Sequence, residues 1–301
     1  MGFAVGQKLI SFAAKSLNLP TLCYAPPRNP ETLGILKKNV TTGTDGWIRK
    51  VPDRNRASWN LENIGFVLPC NDIRDLHVLG MTGCIEGILS DIEGDEEKYT
   101  ELAKRLENCT TEFNAQLRRH DVRTEIGYTG SQQSGDSGLE AELRKWFDDC
   151  SSDDCTLILL KEKNYGMYSR IKRVADLECG KYTVCVVGSK LFDDQNSRRV
   201  ARFQVMSNLA LKVNMKMGGD NHWLDFAHLN NAIGSANRAK NTMVCGADVT
   251  HPSSGTRVGC PSIACVVGSV DNHFMNYPGS MRLQAGRQEV SAYASFLTEL
   301  H

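Results

Sequence analysis

The sequence predicts an α/β protein built of two successive units, preceded by a stretch without regular periodicity. Three observations carry this. Strand-like and helix-like patterns alternate from Asp75 to Met217. The rhythm changes after Gly218-Gly219 to three strands and a helix. Prolines and a threonine- and glycine-rich run interrupt residues 1–60.

Residues 1–60 contain Pro20, Pro26, Pro27, Pro30 and Pro52, with Thr41-Thr42-Gly43-Thr44-Asp45-Gly46 between them. Proline removes backbone donors and glycine frees the chain, so this stretch is expected to be linker. Leu76-His77-Val78-Leu79-Gly80-Met81 is a short apolar run, expected to be a strand. Residues 96–119 then show helical spacing through Tyr99, Leu102, Ala103, Leu106, Phe113 and Leu117. A strand near 123–128, a helix at 139–147 and an apolar strand at 156–160 come next, with 131–138 as the expected flexible loop. A helix around 167–177, a strand at 182–187 and a long helix at 199–217 complete the alternation. Parallel neighbours need a crossover, so the pattern argues a parallel sheet with helices on both faces. Beyond Gly219, residues 242–249, 262–270 and 280–284 read as strands with turn-rich connections, and a helix follows from about Glu289. These begin a second α/β unit whose sheet needs further strands to be stable.

Hydrophobic residues make up 41% and charged residues 23%, the balance of an ordinary soluble protein. No apolar run approaches the ~20 residues needed to span a bilayer. The segment 9–22 is short and broken by Lys15, Asn18 and Pro20, and it lacks the flanks of a signal peptide. Gly6 stands where a myristoylation signal requires Ser or Thr. The cysteines number eleven, with no CxxC pair, which reads as reduced thiols in a cytoplasmic protein with no membrane association.

Net charge is zero, which excludes a nonspecific polycation, but the charge is unevenly spread. Residues 86–160 carry eight Lys/Arg against eighteen Asp/Glu, and residues 161–220 carry twelve against six. An acidic half followed by a basic half points to one localised anion-binding surface.

Within the basic half, Tyr168 and Lys172 are four apart on one expected helix and project from one face. Lys212 and Lys216 repeat the spacing on a later helix. Two such pairs could converge on one dianion: a terminal phosphate carries roughly −1.5 to −2 charges and takes several charge-assisted hydrogen bonds. The spacing also fits solvated lysines on amphipathic helices. In the second unit, Asp248 closes the apolar run of Gly246-Ala-Asp-Val-Thr-His-Pro252, and Glu289 opens the last helix. A carboxylate at a strand end is often a turn former, and an acid in a first helical turn is favoured by the macrodipole.

Longer motifs surround these residues. Tyr168-Ser-Arg-Ile-Lys172-Arg-Val, followed by Thr183-Val184-Cys185, resembles the MID signature of eukaryotic, fungal-like Argonaute proteins. Asn208-Leu-Ala-Leu-Lys212-Val-Asn-Met-Lys216-Met-Gly-Gly219 resembles the next block of that family. Gly246-Ala-Asp-Val-Thr-His-Pro252, Pro261–Asp271, Tyr277–Gln284 and Arg287-Gln-Glu289 follow in the order of its PIWI domain. The resemblance implies a Rossmann-like MID domain over 61–219, then an incomplete ribonuclease H-like PIWI domain over 220–301. Residues 1–60 are implied to be a linker remnant, with counterparts in Leu19-Pro-Thr-Leu-Cys-Tyr24 and Ser58-Trp-Asn-Leu61.

It further implies that Tyr168 stacks on the first base of a single-stranded small guide RNA. Lys172, Lys212 and Lys216, with Thr183, would bind the guide's 5′ phosphate. Val184 stands where the family has Gln, and residues 161–167 stand where it discriminates the first base. In the PIWI part, Asp248 falls on a metal-holding Asp and Glu289 on the mobile Glu of a magnesium-dependent tetrad. The remaining ligands would lie beyond His301, so this chain is expected to bind a guide for gene silencing without slicing the complementary target RNA. The alternative is a guide-directed, magnesium-dependent endoribonuclease in a longer form. Silencing-complex scaffold proteins are the protein partners implied. A metabolic Rossmann enzyme is disfavoured, because Gly80-Met-Thr-Gly83 is not the Gly-x-Gly-x-x-Gly turn a dinucleotide needs.

Overall fold

In the computed structural model of the chain, the sheet anticipated from strand–helix alternation is four-stranded and wholly parallel. The structure describes residues 19–27, 40–52, 61, 64–70, 76–81, 104, 124–125, 137–152, 154–192, 199–234, 241–253, 255 and 259–286. These fall into two compact units. One lies within Leu22–Lys50 and Trp59–Trp223; the other lies within Leu224–His301 together with Val51–Ser58 and the chain up to Thr21. No helix among the described residues is long and apolar enough to cross a membrane.

The stretch expected to be linker carries strands. β1 (Leu22–Tyr24), β2 (Val40–Thr42) and β3 (Ile48–Lys50) form an antiparallel sheet, with Leu22 facing Lys50 and Thr42 facing Ile48. Each strand is three residues long, too short for an alternating pattern to stand out against the prolines around it. The β2–β3 turn takes Gly46 to φ 81°, and Asp45 accepts from both Arg49 and the Trp47 amide. Tyr24 and Ile48 are fully buried there, and Trp47 stands against Trp223 at 5.7 Å between ring centroids.

The parallel sheet consists of β4 (Leu76–Gly80), β5 (Thr124–Glu125), β6 (Cys155–Leu160) and β7 (Tyr182–Val187) in the order β5-β4-β6-β7. Central β6 pairs Leu76 to Cys155 on one side and Cys155 to Tyr182 on the other. All six of its residues are buried, as a parallel strand covered on both faces requires. Leu79, Ile158 and Leu160 pack against Leu139, Leu143 and Phe147 of α1 (Ser137–Asp148), spaced four apart on one helix face. Complete burial of side chains of this size contributes about 1.5–3 kcal/mol each. Helix α1 begins at Ser137, inside the segment expected to be a loop; the rest of that loop and the helix expected at 96–119, apart from Lys104, lie outside the described residues.

The helix expected around 167–177 starts two residues earlier and changes character. α2 (Tyr165–Lys172) is capped by Asn164, whose Oδ1 accepts from the Met167 amide at 3.0 Å. It passes into a π-helix at Arg173–Glu178, where the Cys179 amide reaches back to the Val174 carbonyl. A four-residue helix α3 (Ser189–Phe192) follows β7, and α4 (Arg199–Lys216) is the long helix foreseen. α4 ends in a Schellman motif: Gly218, at φ 82°, donates to Met215, and Gly219 donates to Asn214. A Cβ on Gly219 would stand 2.4 Å from Asn214 Oδ1 and 2.6 Å from the Leu68 carbonyl, so the close approach requires glycine.

In the second unit, α5 (Phe226–Ile233) was not foreseen, although its cap Asp225 and its left-handed stop Gly234 (φ 103°) are both sequence signals. β8 (Cys245–Thr250), β9 (Ser262–Gly268) and β10 (Gly279–Gln284) form an antiparallel sheet with β9 in the middle. β8 starts three residues later than expected; at Val244 the amide donates to Ser269 Oγ while the carbonyl accepts from the Ser269 amide. The helix expected from Glu289 lies outside the described residues.

Candidate functional site

Ligands in open α/β sheets sit beyond the carboxyl ends of the strands. A cleft of about 450 Å³ opens there, between Leu160 at the end of β6, Cys185–Val187 of β7, the start of α2, Lys190 of α3 and the inner face of α4. Tyr168 and Lys212 both line it, which brings together one member of each helical pair. Tyr168 is 44% exposed and lines the cleft, so its side chain is accessible to a ligand there. Asn208, one turn before Lys212, adds an amide, and Lys163 and Lys190 bring two further ammonium groups. The described lining residues therefore include three lysines and no carboxylate.

Lys172 and Thr183 sit behind this wall. The Lys172 ammonium donates to Thr183 Oγ1 at 2.5 Å and to the Thr183 carbonyl at 2.8 Å, and Asp176 Oδ1 lies 3.5 Å away. Thr183 is fully buried, so its hydroxyl acts on Lys172 rather than in the cleft. Successive residues of a strand face opposite ways. Val184, buried in β7, therefore faces away from Thr183 and Cys185, and it is not among the described residues of the cleft wall.

Cys185, in the cleft wall, registers the charges around it. Burial pushes its thiol up; Lys172, Lys216 and Lys212 pull it down, while Asp176 adds to the rise. The three lysines thus act on one point, although Lys216 itself is not among the described lining residues. Lys216 stands in the last turn of α4, where a cation also suits the helix dipole. Lys212 and Lys216 make no ion pair among the described residues. Cys155 beneath them is fully buried and pushed up to about 12, against the pull of Lys216 and Lys172.

Asp248 stands exposed on β8, opposite Cys265 of β9. Among the described residues no three His, Cys, Asp or Glu side chains group to hold a metal ion. Magnesium demands near-octahedral oxygen coordination, so a single carboxylate does not make its site. Glu289 lies outside the described residues.

The sequence singles out Tyr168 and Lys212, and Lys163 lies in the 161–167 loop expected to meet the first base; it gives no role to Lys190, Asn208 or Asp176. Asn208 had a usable signal, lying four residues before Lys212 on one helix. Asp176 had the same signal, lying four residues after Lys172. Lys190 comes from a four-residue helix, and only the tertiary fold brings it to the cleft.

Residues 155–300 match the family model described as Piwi domain. The C-terminal lobe of a budding yeast Argonaute matches 96% of this chain over 56% of its own, at 18% identity and a TM-score of 0.62. The Kluyveromyces polysporus Argonaute solved with a guide RNA matches 93% of this chain over 31% of its own, at 18% identity and a TM-score of 0.61. The MID–PIWI domains of Neurospora crassa QDE-2 match 73% of this chain over 54% of their own, at 24% identity and a TM-score of 0.52. The chain therefore spans between about a third and just over half of the length of these structures.

Proposed function

From a chain that carries a Piwi domain over residues 155–300 in the fold of fungal Argonaute MID–PIWI proteins, we propose a receptor for the 5′ end of a small guide RNA. The observation that carries this reading is the accessible Tyr168 side chain and the Lys212 ammonium in one cleft, with two more lysines acting on the same wall. A base offers a π-face to Tyr168 whatever its identity, and stacking of this kind is worth about 1–3 kcal/mol. A terminal phosphate beside Lys212 takes charge-assisted hydrogen bonds of about 1.5–3 kcal/mol each. Lys216 and Lys172 supply further positive charge, and Thr183 holds Lys172 in place.

This reading assigns the chain to RNA silencing in the cytoplasm, with a complementary target RNA and scaffold proteins as its further partners. It assigns guide binding to the chain; of the tetrad that the family resemblance implies, Asp248 lies among the described residues. Magnesium, held by Asp248 together with further carboxylates, would activate water and stabilise the leaving oxygen in a cutting form. The described residues alone do not form that site, and no cutting step is assigned to them.

The test is equilibrium binding of one guide-length RNA with either a 5′ phosphate or a 5′ hydroxyl, at fixed salt. Wild-type protein is expected to prefer the phosphate by at least about tenfold, one charge-assisted bond's worth. Lys212→Ala is expected to remove most of that preference. Equal binding of both ends by the wild type would rule the reading out.

A further inference from the structure

Resting on the guide-end reading, the geometry around Lys172 points to a regulator of the same site: we infer that Asp176 is a counter-charge that opposes binding of the terminal phosphate by holding Lys172 back. An ammonium has three N–H donors and no acceptor. Two of Lys172's go to Thr183, at 2.5 and 2.8 Å, and the third direction is taken by Asp176 at 3.5 Å. A phosphate that recruits Lys172 must take one of these donors. The Asp176 contact is the longest of the three, and it is the one surrendered.

Surrendering it leaves the Asp176 carboxylate close to a dianion. Asp176 favours Lys172 where it now stands and disfavours the phosphate-bound arrangement. Asp176 also approaches Thr183 Oγ1 at 3.5 Å, so lysine, threonine and carboxylate form one small cluster. The pair spans the point where α2 passes into the π-helix, and such segments frequently sit at functional positions. The role is that of a positioning residue, acting on the ligand through Lys172.

The experiment compares RNA with a 5′ phosphate and with a 5′ hydroxyl on wild type, Asp176→Asn, Lys172→Ala and the double variant. Asp176 is exposed and Asn keeps its size, so folding should be preserved; Asp176→Ser serves as a second substitution. Asp176→Asn is expected to tighten binding of the phosphorylated RNA about threefold to tenfold, the scale of one partly screened charge. It should leave hydroxyl-ended RNA near its wild-type value, and the gain should vanish in the Lys172→Ala background. A wild type that prefers phosphate, with Asp176→Asn unchanged or weaker, overturns this inference alone. A gain that persists without Lys172 overturns the route through that lysine. A wild type without phosphate preference overturns the guide-end reading and this inference together.

Discussion

Lys172 and Thr183 are joined by two hydrogen bonds, from the ammonium to the threonine hydroxyl and to its carbonyl, which tie the end of α2 to the start of β7. The contact fixes the helix that carries Tyr168 relative to the strand that carries Cys185, so one wall of the cleft is held against the other. Thr183→Val removes the hydroxyl while keeping the shape. A loss of about 1–2 kcal/mol of stability is expected, measured as a lower urea midpoint. The preference for a 5′ phosphate should fall a few-fold in the same protein.

Tyr168 is expected to act through its ring rather than its hydroxyl. Tyr168→Ala should weaken phosphate-ended and hydroxyl-ended RNA alike, by about 1–3 kcal/mol, as loss of one stacking platform does. Tyr168→Phe should bind nearly as wild type. Parallel titrations of the two RNAs check both, and a Tyr168→Ala defect confined to the phosphorylated RNA would contradict a stacking role.

Gly219→Ala tests the corner that ends α4. A Cβ there would meet Asn214 Oδ1 and the Leu68 carbonyl, and Asn214 is buried with the Cys70 amide donating to that same oxygen at 2.7 Å. Neither neighbour can yield without straining a hydrogen bond, and the one from Cys70 to Asn214 is buried. A destabilisation of about 1–3 kcal/mol is expected from chemical denaturation. Gly46→Ala, strained only by its own positive φ with open space around it, should cost less.

His222 gives the first unit a pH dependence. Burial pushes its imidazole below the ordinary range, and Asp220 only partly opposes this. The unfolded chain takes up a proton near pH 6.5 that the folded chain resists, so stability falls as pH drops through that region. Urea midpoints should fall between pH 7.5 and pH 5.5, and His222→Gln should flatten that difference.

The parts of the fold written in long repeating patterns were readable from the sequence, and the site was readable where it rests on them. α4 came through because eighteen residues share one period and a Gly-Gly stop, and with it came Lys212 and Lys216. The same holds for β6 and β7, which are continuous apolar runs. β1, β2 and β3 were hidden because three residues show no alternation, and their stability comes from partners far along the chain. The π-turn after Lys172 has no composition signal of its own. Lys190 reaches the cleft only through the packing of a short helix, which no local pattern encodes.

On the proposed function, the first base of a guide lies on Tyr168. A 5′-phosphorylated RNA carrying 5-iodouridine at its first nucleotide, irradiated in complex with the protein and mapped by peptide mass spectrometry, tests this directly. The adduct is expected on Tyr168, suppressed by an excess of unmodified 5′-phosphorylated RNA and hardly by the 5′-hydroxyl form. An adduct confined to the second unit, or one that both competitors suppress equally, would contradict it.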